Sequence, residues 1–275
     1  MYFSEHSFQA PERNVAWEEA CVELADEVLH EQETENSGRQ DSADDRSSLE
    51  VLRVWSFDSP VVVMGRASRV GEEVCFERCN ADGIPVLRRS SGGSTIVAGP
   101  GCLMVSVQIS YAKRPTWRSL DIAHREVMGR TKDAVTAALG TFGITKEIAL
   151  QGTCDLTDGP YKFSGNALRC KRHAMIYHGT LLLDMPLEWV DRYLLEPPRQ
   201  PEYRERRPHK SFVKNLLQDV SIDRIAFEHE LGQQLRRIWN ADKPWGDYPY
   251  QGKLSDWVEQ LMQTRYANPA WHLER

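Results

Sequence analysis

The 275-residue sequence contains no run of apolar residues long enough to cross a bilayer as a helix, and this excludes a helical membrane protein. Its amino end, MYFSEHSFQAPERN, lacks the basic region, apolar run and small-residue cleavage site of an export signal, so the cytoplasm is the expected compartment. Cysteine is sparse. The six residues Cys21, Cys75, Cys79, Cys102, Cys154 and Cys170 are scattered rather than spaced as a disulfide framework, and reduced thiols are expected. Cys75 and Cys79 lie one helical turn apart, but no second ligand pair stands at zinc-like spacing, so packing explains them better than a metal. Positive charge is also short. A net charge of −6 gives no long-range pull toward phosphate backbones, and neither nucleic acid nor membrane is an expected partner. No internal repeat, Walker loop or dinucleotide fingerprint is present.

What is present suffices for a core. At 41% hydrophobic residues the chain makes one large domain, or a domain with a small appendage. NVAWEEACVELADEVLHE sets Val15, Ala16, Ala20, Cys21, Leu24, Val28 and Leu29 on one helical face, with Asn14 as a candidate N-cap. The polar stretch after it cannot pack, and residues 34–48 are expected to form a mobile loop. VLRVWSF, PVVVMG, IPVLRR, STIVAG and CLMVSVQIS read as short strands. A short helix in GEEVCFERCNADG interrupts them and ends at Asp82-Gly83. SLDIAHREVMGRTKDAVTAALGTFG reads as a long helix that packs through Leu120, Val127, Val135 and Leu139 and stops near Gly140. YKFSGNALRC and HAMIYHGTLLLD add strands. The chain then turns helical in PLEWVDRYLL, in FVKNL, in SIDRIAFEHELGQQLRRIWNA with Ser221 as N-cap, and in LSDWVEQLMQTRYANPAWHLER, with DKPWGDYPYQGK as a connecting loop. Strands mixed with segregated helices, without regular βαβ alternation, give the α+β class.

Three stretches carry candidate chemistry. RRSSGGSTIVAGPG, between two strands, combines arginines, serines and glycines, and reads either as a cradle for an anion or as a glycine-kinked hairpin with exposed arginines. Cys154 and Lys162 stand eight residues apart across the turn signal Asp158-Gly159-Pro160, which can bring the two side chains together. A neighbouring ammonium lowers a thiol pKa, and a thiolate attacks a thioester carbonyl. The same lysine, once desolvated, can take a proton from an incoming amine. The alternative is a small buried cysteine beside an exposed lysine. RQPEYRERRPHK, Arg199 to Lys210, is either a solvated loop or a basic patch that meets an acidic partner.

NVAWEEA, LRVW, GRAS, VLRRSSGGS, CDLTDGPYKFSGNALR, YHGTLLLD and FVKNL occur in the order found in the lipoate-protein ligase and octanoyltransferase family, which shares its catalytic fold with biotin protein ligases. The sequence resembles that family over about four-fifths of its length. The resemblance implies a mixed β-sheet catalytic domain flanked by helices, here residues 1–220, with a small helical appendage at 221–275. It further implies an apolar tunnel for a medium-chain acyl group and attachment of that group to a lysine of a lipoyl domain or glycine cleavage H protein. Arg89, Ser91, Gly92 and Gly93 match the loop that embraces the acyl end. Lys162 matches the catalytic or adenylate-contacting lysine, Gly165 and Asn166 belong to its motif, and His178 and Gly179 match the returning strand. His178 is either a hydrogen-bonded strut or part of the chemistry.

Two subfamilies share the scaffold. Ligases use ATP and Mg to make an acyl-adenylate and carry Asn-Asp before the lysine motif. Cysteine-dependent octanoyltransferases take the acyl group from octanoyl-acyl carrier protein and need no cofactor. Cys154-Asp155 stands where a ligase has Asn-Asp, and the helical part after Asp184 looks small for a separate ligase domain. The expectation is therefore an octanoyltransferase with Cys154 as nucleophile and Lys162 as its partner. An ATP-dependent lipoate ligase is the alternative, and a non-catalytic acyl or lipoyl-domain binding protein a third. The departures Ser68, Ser94 and Ala98-Gly99 from the family pattern bear on the pocket. Cys102 is expected to be a buried strand residue.

Overall fold

The computed structural model describes residues 1–35 and 49–274. The expected mobile loop lies outside the described residues, except for Thr34 and Glu35, which end the first helix. In chain order the elements are β1 (Tyr2–Ser4), α1 (Pro11–Glu35), β2 (Val51–Trp55), β3 (Val61–Met64), α2 (Val70–Glu73), α3 (Phe76–Ala81), β4 (Val86–Arg88), β5 (Ile96–Ala98), β6 (Cys102–Ser110) and α4 (Leu120–Thr141). They continue with β7 (Ile148–Gln151), β8 (Asp155–Asp158), β9 (Tyr161–Cys170), β10 (Ala174–Leu182), α5 (Glu188–Tyr193), α6 (His209–Phe212), α7 (Arg224–Trp239), β11 (Lys243–Pro244), α8 (Gln251–Leu261) and α9 (Pro269–Leu273).

Strands β11-β1-β2-β6-β10-β9-β8-β7 form one sheet and β4-β3-β5 a smaller one. The large sheet is mixed: β1 runs parallel to β2 and β11, while the remaining pairings are antiparallel. This is the α+β architecture the sequence predicts. Successive strand residues face opposite sides of a sheet, and β10 shows what covers each side. Tyr177 bonds through its hydroxyl to His124 of α4 at 2.9 Å, whereas the next residue, His178, meets Glu18 of α1. Helix α4 therefore covers one face and α1 the other. The predicted stripe of α1, from Val15 to Leu29, is buried throughout. A fully buried Val or Leu of this kind contributes about 1.5–3 kcal/mol.

Several local expectations are corrected. Helix α1 begins at Pro11, a residue whose fixed φ suits a first turn. Asn14 is thus inside the helix, where its buried amide donates to Phe8 O (2.7 Å) and accepts from Phe8 N (3.0 Å) and Arg53 Nη2 (2.6 Å). Asp223, not Ser221, caps α7, taking the Ala226 N–H at 2.8 Å. Leu120 is 49% exposed at the start of α4, while Val127, Val135 and Leu139 are buried. FVKNL is helical only to Phe212. Val213 bridges to Lys162 in parallel, and the Lys214 N–H donates to Lys162 O at 3.0 Å, because the edge of β9 offers backbone partners there. Lys243–Pro244, expected in a loop, becomes β11 by pairing with β1. Beyond residue 220, α7 packs on α4, α8 packs on α1, and α9 packs on β4. Phe227, Leu231, Leu254, Val258 and Tyr266 belong to one continuous core with the sheet.

Candidate active site

A cavity of about 330 Å³ lies where the small sheet faces the large one. Its apolar lining comes from Val63, Ile96 and Val97 of the small sheet, Trp55, Met104 and Leu182 of the large one, Phe212 at the end of α6, and Phe57 and Val213 from connecting segments. Glu18, Arg89, Cys154, Asp155, Lys162 and His178 supply polar groups to the same walls.

The glycine loop after β4 is organised by Arg89 from within. Its guanidinium donates from Nε to Ser91 Oγ (3.0 Å), from Nη1 to Val63 O (3.0 Å), and from Nη2 to Gly92 O (2.6 Å) and Ser94 O (3.0 Å). Burial lowers its pKa to about 10 against the charges of Glu18 and Glu73, so it remains a cation at neutral pH. That charge is directed at three oxygens of the loop and one of β3, and Arg89 works as the strut of the loop whose Gly93 and Ser94 face the cavity. Ser91 Oγ lies 2.6 Å from His178 Nε2, and His178 Nδ1 meets Glu18 Oε2. The carboxylate accepts from Nδ1–H, and Nε2 shares a hydrogen bond with the Ser91 hydroxyl. Burial pushes the Glu18 carboxyl up, but attraction to His178 and Arg53 outweighs it and holds the group below the ordinary carboxylate range. Trp55 Nε1 donates to the other Glu18 oxygen at 3.1 Å.

The second half of the site is the β8–β9 hairpin. The turn falls at Gly159-Pro160, as the sequence predicts, and a bulge between Leu156 and Thr157 sets Thr157 opposite Lys162. Lys162 Nζ stands 2.9 Å from Asp155 Oδ1, and the Tyr203 hydroxyl donates to Asp155 Oδ2 at 2.7 Å. The lysine lies over Gly165, where an added Cβ would come within 2.8 Å of Nζ. Cys154 Sγ–H donates to Asn166 O at 3.1 Å, and Asn166 Nδ2 donates back to Cys154 O at 2.8 Å and to Ser164 Oγ at 3.0 Å. Asn166 sits opposite Gly179, and His178 opposite Ala167, so the Asn166 and His178 side chains leave opposite faces of the sheet. Space at 179 is tight: an added Cβ would stand 1.7 Å from Asn166 Oδ1 and 3.0 Å from Gly165 O.

Cys154 and Lys162 thus line one cavity beside Gly93. The thiol is not a ready thiolate. Burial pushes its pKa above the ordinary 9.0 and Asp155 adds to this, while Lys162 and the Asn166 hydrogen bond pull the other way without prevailing. Cys102 is buried in β6 with its thiol pushed to about 12, and Cys79 is buried with its thiol at about 11, as fits packing residues.

Three carboxylates line the cavity, each already engaged by protein donors: Glu18 as above, Asp155 by Lys162 and Tyr203, and Glu73 by Thr95 N (2.8 Å) and Oγ1 (2.7 Å). The basic segment 199–210 is a wall of the site rather than a free loop. Arg204 is buried and bound to Glu196 and Arg207 O; Arg207 donates to the carbonyls of Pro160, Tyr203, Arg204 and Ser211. Arg199, Arg206 and Lys210 remain exposed. Sequence reasoning names Asp155 only as part of the Cys154-Asp155 pair and does not single out Glu18 or Tyr203. Glu18 lies inside the quoted motif NVAWEEA, whereas nothing in the sequence marks Tyr203 as a partner of the hairpin.

The mixed sheet, the glycine loop strutted by an arginine and the lysine on its hairpin define a lipoate-ligase type of catalytic fold. The structure of a bipartite lipoate protein ligase and its E2 lipoyl domain from Thermoplasma acidophilum superimposes with a TM-score of 0.70 at 18% identity, covering 98% of this chain and 95% of that one. A lipoate-protein ligase A bound with ATP gives 0.67 at 18% identity, covering 98% and 97%. The sequence model of the lipoyl protein ligase A/B catalytic domain matches residues 11–235, and the chain belongs to that family. The human mitochondrial lipoyl amidotransferase LIPT1 is 26% identical over 211 residues, which are 73% of this chain; the chain spans 53% of the length of that relative.

Proposed function

We propose that the protein lipoylates other proteins as an acyltransferase, carrying an octanoyl or lipoyl group on Cys154 before passing it to a lysine of a lipoyl domain. The observation that carries this reading is the shared cavity: Cys154 and Lys162 line the same largely apolar space beside the Gly93 loop. In the first step Cys154 sulfur attacks the thioester carbonyl of octanoyl-acyl carrier protein, the carrier thiol leaves, and the Cys154 proton ends on that thiol. In the second the acceptor amine attacks the new thioester, an amide forms, and the amine proton returns to Cys154. Because the thiol rests protonated, its proton must leave as the sulfur attacks, and in this reading its relay falls to the Asp155–Lys162 pair lining the same cavity. Acceptors are lipoyl domains or glycine cleavage H protein, met through exposed Arg199, Arg206 and Lys210. The related Thermoplasma ligase described with its E2 lipoyl domain supports an acceptor of that kind.

A second reading is an ATP-dependent ligase in which Lys162 contacts an acyl-adenylate made with ATP and Mg, and Cys154 is a bystander. The raised thiol pKa favours it, as does the fold shared with an ATP-bound ligase. The donor separates them. Transfer to a lipoyl domain from octanoyl carrier protein without ATP supports the first reading, and lipoate-dependent pyrophosphate release supports the second. Acyl binding with neither product leaves a binding protein.

A further inference from the structure

Outside the cavity, the carboxyl end of α1 and the turn between β9 and β10 bring three unassigned side chains together. His30 and Glu33 share one face of α1 at i,i+3 spacing. His173 comes from the turn that precedes β10. The turn is fixed to the helix by several contacts: Asp26 Oδ1 accepts the His173 backbone N–H at 2.6 Å, and Glu23 pairs with Arg169 (2.5 Å) and Lys171 (2.9 Å). The His30 and His173 rings stack with centroids 5.5 Å apart. One ligand atom from each of His30, Glu33 and His173 lies within 4.8 Å of the other two.

His173 supplies the telling detail. The residue is 8% exposed, its Nε2 has no hydrogen-bond partner, and the nearest carboxylate oxygen, Glu33 Oε2, stands 3.8 Å away. Leaving a buried ring nitrogen unpaired is costly, so a partner is expected there. Two imidazoles and a carboxylate form the donor set of a borderline divalent cation such as Zn²⁺ or Co²⁺, whereas Mg²⁺ and Ca²⁺ take oxygen ligands. Metal–ligand bonds of about 2.0–2.2 Å require the three groups to draw together. His30 and Glu33 are exposed and can rotate inward, while the tethered His173 stays in place. Arg172, largely exposed and 3.8 Å from Glu33 Oε2, competes for that carboxylate.

We propose that His30, Glu33 and His173 form a site for a zinc-like divalent cation. Binding there staples α1, which carries Glu18, to the β9–β10 hairpin, which carries Lys162 and His178. The site does not depend on the lipoylation reading. Its test is a titration of the untagged, metal-free full chain with Co²⁺ and with Zn²⁺, read by visible absorption and by thermal unfolding. The expected result is one saturable equivalent with d–d absorption, a rise in Tm with Zn²⁺ and none with Mg²⁺. His30→Ala, which removes an exposed ring, should weaken affinity at least about tenfold and remove the Tm rise, with Glu33→Gln acting in the same direction. Absence of saturable binding overturns the proposal. So does binding undiminished in His30→Ala and in His173→Gln, which would place the ion on thiols elsewhere.

Discussion

Cys154 stands between opposed influences. The apolar cavity and the Asp155 charge keep it protonated, while the Lys162 ammonium draws it toward the thiolate. The thiol should therefore alkylate slowly near neutral pH and faster as pH rises past 9, because its pKa lies above the ordinary value of 9.0. Asp155→Asn should speed its reaction with iodoacetamide at fixed pH, and Lys162→Met should slow it, as followed by peptide mass mapping to separate exposed Cys170. Equal rates in both variants would mean that neither charge reaches the sulfur. Arg89 shows the same dependence on surroundings. The sequence leaves open an arginine aimed at an anion or one exposed on a hairpin, but burial without an acidic side chain in contact turns its donors onto four loop and strand oxygens.

At the scale of elements, the β8–β9 and β9–β10 hairpins carry much of the site, and two glycines in them divide its labour. A Cβ at 165 would meet the flexible end of Lys162, at 2.8 Å from Nζ and 2.9 Å from Cε. Gly165→Ala should therefore leave stability nearly unchanged while displacing the lysine and reducing acyl transfer at least about tenfold, the effect of a misplaced catalytic group. A Cβ at 179 would meet Asn166 at 1.7 and 2.4 Å and the Gly165 carbonyl at 3.0 Å. Gly179→Ala should destabilise by about 1–3 kcal/mol, as overpacking does. Denaturant unfolding beside an activity assay checks both, and a large stability loss in Gly165→Ala would refute the division. The hairpin turn, the buried face of α1 and the strand runs were legible because each is specified by local periodicity or turn chemistry. Asn14 and FVKNL escape a local reading because their outcome depends on groups far along the chain, Arg53 for Asn14 and Lys162 and Met185 for the segment after Phe212, whereas Ser221 loses the cap to Asp223 two residues on. The Tyr203–Asp155 bond likewise joins residues 48 positions apart with no repeating pattern between them.

At the scale of the molecule, the family and its fold were legible from ordered motifs, while the closure of the cavity by residues 197–213 was not. Charge composition alone cannot tell an arginine that binds carbonyls from one that faces solvent. With Arg204 and Arg207 committed internally, the proposed reading leaves Arg199, Arg206 and Lys210 to dock an acidic lipoyl domain. Reversing Arg206 and Lys210 to Glu should slow association at low salt and matter less at high salt, with folding unaltered. An association rate unchanged by the reversal would move the docking surface elsewhere.

The most direct measurement is intact mass after the full chain is mixed with octanoyl-acyl carrier protein, followed by addition of a lipoyl domain. Acyl transfer through Cys154 predicts one octanoyl adduct, absent in Cys154→Ala and discharged onto the acceptor lysine. No adduct, or one that persists in Cys154→Ala, contradicts it.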